Sequence, residues 1–553
     1  MIDLIYQIYK NFTELEQRLF LIALTAFLVS GIMWTTLNFY SKTISVPTLS
    51  GLYKEGTVGQ PTAVNPILTT NDVSRDLIEL LFSNIIDLTE NYKTSEDGRI
   101  WKITLKENLR WSDGKPLTSD DVIFTIDTIQ NPETQSPLFL TWQGVVTDRL
   151  SEREIEFTLR TPYAFFIDNL RGLKIIPKHI FGTIPAGNFR LSVFNLEPVA
   201  NGPYKFLSLE KRRDGFITDY HLITNEYYSL TKPHIKKFNL KFYQSVADLI
   251  TAFNQKKVDG FGGLNPKNIP DLKLNHIILE KILPRYYAIF LNKNTSPALE
   301  DQNVPAALNL ATNKQKIIDS IFNGKALIVN QPFLSIIEGY DSTADPGWEF
   351  SLEKAAELLD KAHWILDPKT GSRNKKIGKQ TYALEFSLVV PQIHFLTETI
   401  DILKEDWAKI GVKLNPIILN PTDVTNEVIK TRNYQMIIFG NNLKNNPDIF
   451  SFWHSSERFY PGLNLALYNN KKVDALLESI RKNPDNSESR KKEISKLQKL
   501  ISDDQPAIFL YSPTYLYVTP KDFGGFEEKT IAIPSDRFKN INQWYLETER
   551  VFK

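Results

Sequence analysis

Between Arg18 and Lys42 the chain runs for 23 residues, Leu19 to Ser41, without a single charge. As a helix rising 1.5 Å per residue, such a run covers about 30 Å, the thickness of a bilayer's hydrocarbon core. The run is apolar on every side, which argues against a core helix of a water-soluble fold. Trp34, Phe39 and Tyr40 stand at its far end, where an aromatic belt would meet the headgroups. A cleaved signal peptide is the competing reading. Against it, the run exceeds the about 7–15 apolar residues of a usual signal core, and the small-residue cleavage pattern around Val29-Ser30-Gly31 is poor. Lys10 and Arg18 precede the run, as do Glu14 and Glu16; counting positive charges favours a cytoplasmic segment 1–18, a transmembrane anchor 19–41 and about 500 residues outside. Ile277 to Leu283 is also apolar, but Glu280 and Lys281 interrupt it. The expectation is a single-pass cell-membrane protein whose bulk is extracytoplasmic.

Length and composition narrow what lies outside. A chain of 553 residues suggests three to four domains. A net formal charge of +1 argues against nucleic acid, which needs an excess of Lys and Arg. The absence of cysteine excludes disulfides, thiolate catalysis, cysteine–zinc sites and a lipidated cysteine. Ser41 to Gln60 mixes Ser, Thr, Gly and Lys and reads as a short tether.

Strand and helix signals then alternate. Trp101, Ile103 and Leu105 alternate with polar residues as in a half-buried strand, and Asp113-Gly114 marks a turn. Thr118 followed by Asp121, and Ser245 followed by Asp248, are helix starts; Phe238, Leu240 and Phe242 form another alternating strand. Asp301 and Asn313 open further helices, the second ended by Gly324. Strands at Leu384–Val390, Val412–Ile418 and Met436–Phe439, with a helix from about Thr397 to Ile410 stopped by Gly411, give a right-handed crossover rhythm and hence an α/β fold. A return strand follows at Ala507 to Tyr511.

Catalytic signatures are sparse. There is no G-x-S-x-G and no phosphate-binding G-x-x-x-x-G-K-[ST]. Gly260-Phe261-Gly262-Gly263 ends on Asn265 where a dinucleotide loop needs glycine, and reads as a turn. None of the seven histidines has H-x-x-x-H or H-E-x-x-H spacing, so no metal site and no cofactor is expected. Asp120-Asp121 reads as helix-start carboxylates rather than an acid–base pair. Aromatic residues, at 12%, are abundant. Tyr286 and Tyr287 after Pro284-Arg285, Trp453 after Pro447-Asp448, and Tyr511 are candidate walls of an adaptable pocket for a peptide-like or sugar-like ligand.

Several motifs occur in a telling order. They are LKENLRWSDGKPLTSDDVIFTI at 105–126, IIPKHI at 175–180, NGPYKF at 201–206, Asn225-Glu226-Tyr227, Lys232-Pro-His-Ile235 and Val258-Asp259. Asp301 to Ala311, Lys354 to Trp364 and Asn446-Pro447-Asp448 follow. Together they resemble the family 5 extracytoplasmic solute-binding proteins of ABC importers, the oligopeptide, dipeptide and nickel-binding group. Ser119, Pro305, His363 and Ile449 depart from the usual alanine, arginine, glycine and proline.

The resemblance implies a two-lobed α/β clamp of type II, with an extra subdomain and two chain crossings between lobes. It places lobe I at 48–85, 195–285 and 505–553, the extra subdomain at 86–194 and lobe II at 286–504. Asn65 and Tyr287 match regions that line the cleft, and Asn441 and Asn442 could hydrogen-bond a ligand backbone. In peptide-binding members an aspartate just before the Asp-Pro loop pairs with the ligand's α-amino group. The matching stretch Gly440 to Asn446 holds no carboxylate, and Lys444 has the wrong sign. A buried amine without a counter-charge is costly, which argues against a peptide held there by a free amino terminus. Asp448 is the nearest substitute.

The implied function is capture of a peptide or other small solute, a chelated metal included, by a membrane-tethered monomer that hands it to permease subunits without covalent change. A receptor or sensor on the same scaffold is the alternative. A secreted hydrolase lacks a nucleophile–base–orienter signature.

Overall fold

The computed structural model describes residues 10–49, 51–444, 446–482, 487–528 and 530–553. Residues 1–9 of the expected cytoplasmic segment and Asn445 of the 440–446 stretch lie outside the described residues.

Local signals explain many element boundaries. Thr118 and Asp121 form a capping box that starts helix Ser119–Gln130, and Ser245 accepts from the Asp248 amide to start helix Val246–Asn254. Asn313 caps helix Lys314–Phe322. Gly411, at φ +77°, lets the chain leave helix His394–Ala408 and enter strand Lys413–Leu419. That strand and Met436–Asn442 both run parallel to Glu385–Pro391.

These strands belong to the second of two lobes. Its sheet runs Lys413–Leu419, Glu385–Pro391, Met436–Asn442, Arg285–Leu291, then the first half of Ala507–Thr519. Apolar cores cover both faces, so strand Arg285–Leu291 is apolar or aromatic from Tyr286 onward. Tyr286, Ala288 and Phe290 point into one core, Ile289 and Leu291 into the other. The first lobe's sheet takes the second half of Ala507–Thr519, then Gly260–Gly262, Leu52–Val58, Lys237–Tyr243, Ile217–Thr224 and Tyr204–Lys211, with Ile277–Ile282 paired to Thr514–Thr519. The extra subdomain carries a four-stranded antiparallel sheet between Thr89 and Thr158, and its core is continuous with that of the first lobe.

The chain passes between lobes at two adjacent places. One is Leu283-Pro284, between strands Ile277–Ile282 and Arg285–Leu291; the other is Ser512 to Thr514. Ser512 Oγ donates to the Leu283 carbonyl at 3.3 Å, tying the crossings together. The second crossing lies inside a strand that runs to Thr519 instead of ending at Tyr511, so Ala507–Tyr511 pairs within the second lobe although 505 was the expected start of first-lobe chain.

Two expectations are corrected. Ser41–Gln60 is not a tether. Thr43–Pro47 pairs antiparallel with Thr548–Phe552, and Leu52–Val58 is an interior strand of the first lobe. The run Gly260–Gly262 is a strand and not a turn. Its glycines are required because a Cβ would lie 2.1 Å from the Tyr53 hydroxyl at 260 and 1.7 Å from the Tyr515 hydroxyl at 262.

The first lobe is pinned by a buried charge cluster. Arg537 sets its two Nη atoms on the Asp76 carboxylate at 2.8 and 2.6 Å, and reaches Glu55 from the side at 2.8 and 3.2 Å. The Tyr517 hydroxyl donates to Glu55 at 2.8 Å. One guanidinium faces two carboxylates, and Glu55 has the weaker share. Burial pushes its carboxyl up to about 7, outweighing Arg537, and burial raises Asp76 as well. Folded Glu55 therefore keeps a proton that the unfolded chain has released. Its stabilising contribution is full below its ordinary 4.5 and is lost as pH climbs to about 7. Unfolding free energy from urea titrations should fall over that window by up to about 1.4 kcal/mol per pH unit. Glu55→Gln should flatten the fall; an equally steep fall in both proteins would show that Glu55 carries no proton there.

Candidate functional site

Strand Met436–Asn442 of the second lobe delivers its carboxyl end toward the extra subdomain, and carboxyl ends of strands are where open α/β sheets bind ligands. There a cleft of about 840 Å³ opens. One wall is Leu140, Thr141 and Thr161–Tyr163; the other is Gly440, Asn442–Lys444, Phe450 and Phe452, with Asp168, Glu478, Arg481 and Lys482 supplying charge of both signs. Gly440 is needed because a Cβ would approach the Tyr287 ring to 2.9 Å across the ladder.

A polar bridge spans this cleft. The Tyr163 hydroxyl donates to Asp448 Oδ2 at 2.9 Å, and Arg481 Nε donates to the same oxygen at 3.0 Å. The Arg481 guanidinium lies over Phe450 at 4.2 Å and Tyr163 at 5.2 Å. Ala164 N donates to the Arg481 carbonyl at 2.7 Å, and Asn446 Nδ2 to Asp168 Oδ2 at 3.3 Å. Burial, reinforced by the Asp448 charge, raises the Tyr163 pKa, so the hydroxyl stays a donor.

The seven residues singled out from the sequence separate into two that line the cleft, four that are buried, and Tyr287 between them. Asn442 and Asp448 line the cleft, and half-buried Tyr287 packs edge-on against Phe395 at 5.1 Å. The Asp448 carboxylate is committed: Oδ2 takes Tyr163 and Arg481, and Oδ1 accepts from the Phe450 amide at 3.1 Å. It therefore closes the loop and offers no open face to a ligand amine in this conformation. Asn65, Asn441, Trp453 and Tyr511 are at most 2% exposed and are not among the residues that line this cleft. Asn65 bonds Asn195 and the Ile67 amide, Asn441 donates to the Tyr286 hydroxyl, and Tyr511 shares a hydrogen bond with Thr399. Trp453 packs between Phe290 and Phe509. An aromatic residue read alone looks the same whether it faces a pocket or a core; here the strand and helix partners, far away in sequence, turn the rings inward. Tyr163 and Arg481 were missed. Tyr163 sits among aromatics in TPYAFF at 161–166, a detectable cluster, whereas Arg481 is one cation among several on helix Lys471–Lys482.

Comparison with known proteins bears on this geometry. The family model described as bacterial extracellular solute-binding proteins, family 5 Middle, matches residues 85–459, well over half the chain. The chain belongs to this family. Among relatives, the oligopeptide-binding protein AppA of Bacillus subtilis is 24% identical over 527 residues, covering 91% of this chain and 93% of AppA. The structure of AppA in complex with a nonapeptide superposes with a TM-score of 0.71 at 23% identity, covering 91% of this chain and all of that one. NikZ from Campylobacter jejuni in complex with Ni(L-His) gives 0.69 at 24% identity, covering 90% of this chain and all of NikZ. As a family 5 member with two lobes around a cleft, this chain is a solute-binding component of extracytoplasmic transport.

The buried group is separable from the lining group by stability. Asn65→Ala, which orphans buried polar partners, should cost about 1–3 kcal/mol, and Trp453→Ala about 3–5 kcal/mol. Asn442→Ala, on the cleft wall, should stay within about 0.5 kcal/mol. Urea unfolding measures all three; an unchanged Trp453→Ala protein would place that ring outside the core.

Proposed function

We propose that this chain is the membrane-anchored binding component of an importer. It closes two lobes around a peptide-like solute, then releases it unaltered to a permease, with no catalytic step of its own. The observation that carries the reading is the pair of adjacent crossings at Leu283-Pro284 and Ser512–Thr514, joined by one hydrogen bond, beside a cleft lined by apolar and amide groups. Such a pair permits rotation of one lobe against the other, and ligand shifts the population toward closure. The two rotating bodies divide at these crossings. AppA, the relative crystallised with a nonapeptide, supports a peptide as cargo.

Helix Glu14–Lys42 supports the anchor. None of its residues is buried in protein, unlike a core helix. Its last turn is also held by the folded part: Arg550 lies over the Tyr40 ring at 3.9 Å and Phe39 meets Phe552 at 6.1 Å. A cleaved signal would forfeit these contacts.

With Asp448 engaged, Asp168 held by Arg171 and Asn446, Glu478 held by Lys482, and the described part of Gly440–Asn446 free of carboxylates, recognition falls to backbone groups and bridging water, which accept many sequences. Calorimetry of the detergent-solubilised protein with peptide pools should give micromolar or tighter binding, and amino-terminal acetylation should change the affinity by less than about threefold, since no counter-charge is lost. Absence of heat with every pool overturns the peptide reading; a large loss on acetylation reveals a carboxylate that pairs with the amine.

A further inference from the structure

Thr43–Pro47 and Thr548–Phe552 form a two-stranded ribbon that pairs with neither lobe's sheet. Its register is complete, from Thr43 opposite Phe552 to Pro47 opposite Thr548, and Lys553 N donates to the Lys42 carbonyl at 2.9 Å. The C-terminal strand thus returns to the level at which helix Glu14–Lys42 ends. An isolated two-stranded ribbon is marginal in water. This one also leaves apolar side chains uncovered: Phe552 is 71% exposed, Ile44 46% and Val551 36%, next to Tyr40 at 58% and Phe39 at 44%.

Charge is arranged around these residues. Arg550 stacks on Tyr40 and donates to Thr43 Oγ1 at 2.8 Å, and Lys42 and Lys553 sit side by side at the helix exit. Glu549 is the anion inside the ribbon, on the alternate face from Arg550 and Phe552. Aromatic rings with cations just beyond the end of a spanning helix match the chemistry of the membrane interface. There the rings sit at headgroup depth and the cations meet phosphate.

We propose that the ribbon is a membrane-docking collar. Phe39, Tyr40 and Phe552 enter the interface while Lys42, Arg550 and Lys553 bind the headgroups of anionic phospholipids. The occupant is a phospholipid surface because the patch is continuous with the helix that this inference, resting on the anchor reading above, takes to span the bilayer. The consequence is mechanical. Interior strand Leu52–Val58 begins five residues after the ribbon ends, so the first lobe is held within roughly one ribbon length, about 16 Å, of the membrane. The second lobe is then the moving jaw.

The chain has no cysteine, so single labels carry no background. Full-length protein bearing an environment-sensitive fluorophore at V551C is reconstituted into vesicles of phosphatidylethanolamine and phosphatidylglycerol that contain shallow or deep spin-labelled lipid. S30C marks the helix centre and V146C the extra subdomain; S45C, exposed on the ribbon face of Arg550 and Phe552, repeats the ribbon measurement should V551C disturb it. Shallow quenchers should quench V551C at least about twofold more than V146C. That excess should shrink in phosphatidylcholine, in molar salt and in the triple variant Phe552→Ala, Arg550→Gln, Lys553→Gln. Ribbon labels quenched no more than V146C, with S30C quenched by deep lipid, would show that the ribbon stands clear of the membrane and overturn the collar alone. Quenching untouched by the triple variant, lipid charge and salt would reduce the collar to tethering and overturn it too. An unquenched S30C would bring down the anchor reading and the collar with it.

Discussion

Both sheets are built on one thirteen-residue strand, Ala507–Thr519. Its first half hydrogen-bonds to Arg285–Leu291 and its second half to Ile277–Ile282, so the two chain crossings are neighbours in the same ladder. Each crossing carries a proline, Pro284 or Pro513, which has no N–H to donate; pairing with the 277–291 segment lapses between Tyr511 and Thr514, while Ala326–Ile328 pairs with Tyr511–Pro513 alongside. Side chains alternate faces along a strand, so sliding either half by one residue would turn its buried rings outward. Sliding is forbidden and rotation about the proline points is left. The clamp motion proposed above is the one that strand geometry leaves open before any ligand is considered.

Rotation needs rigid bodies, and the charge cluster makes the first lobe one. Desolvating Arg537, Glu55 and Asp76 is costly, and apolar side chains of similar volume would fill the space more cheaply. The cluster instead ties three distant pieces of chain to one place: strand Leu52–Val58, helix Asp72–Leu81 and the turn Pro534–Phe538. Misplacing the helix or the turn leaves a buried charge alone, and misplacing the strand strips Arg537 of its two contacts with Glu55.

This explains where sequence reading succeeds and where it fails. Helix starts at Thr118 and Ser245 and the stop at Gly411 were legible because the deciding atoms lie within a few residues. The βαβ rhythm of 384–439 was legible because its apolar period is local. LYKEGTV, by contrast, looks like tether because Lys54 and Glu55 are charged. Glu55 is buried only because Arg537 arrives from 482 positions away. The ribbon was hidden for the same reason, since Thr43 meets Phe552 across nearly the whole chain. The candidate site suffered most. Which face Trp453 or Tyr511 presents is decided by partners that no window around it contains, and Arg481 gains its role only through Tyr163 and Asp448 on other elements.

The bridge across the cleft sets the scale of the conformational balance. The extra subdomain shares its core with the first lobe, yet Phe165 is buried in the core of the second, and three hydrogen bonds join Tyr163, Ala164 and Asp168 to Asp448, Arg481 and Asn446. Each bond exchanges with water on opening and is worth about 1 kcal/mol net. Uncovering Phe165 adds about 2 kcal/mol. Together these contribute about 5 kcal/mol of contact to the closed arrangement, set against the strain and ordering that closure costs. A ligand that touches both walls acts in the same direction and shifts the balance by its extra affinity for the closed state. Stronger bridging, a second buried ion pair for instance, would freeze the jaw whatever the cleft contained.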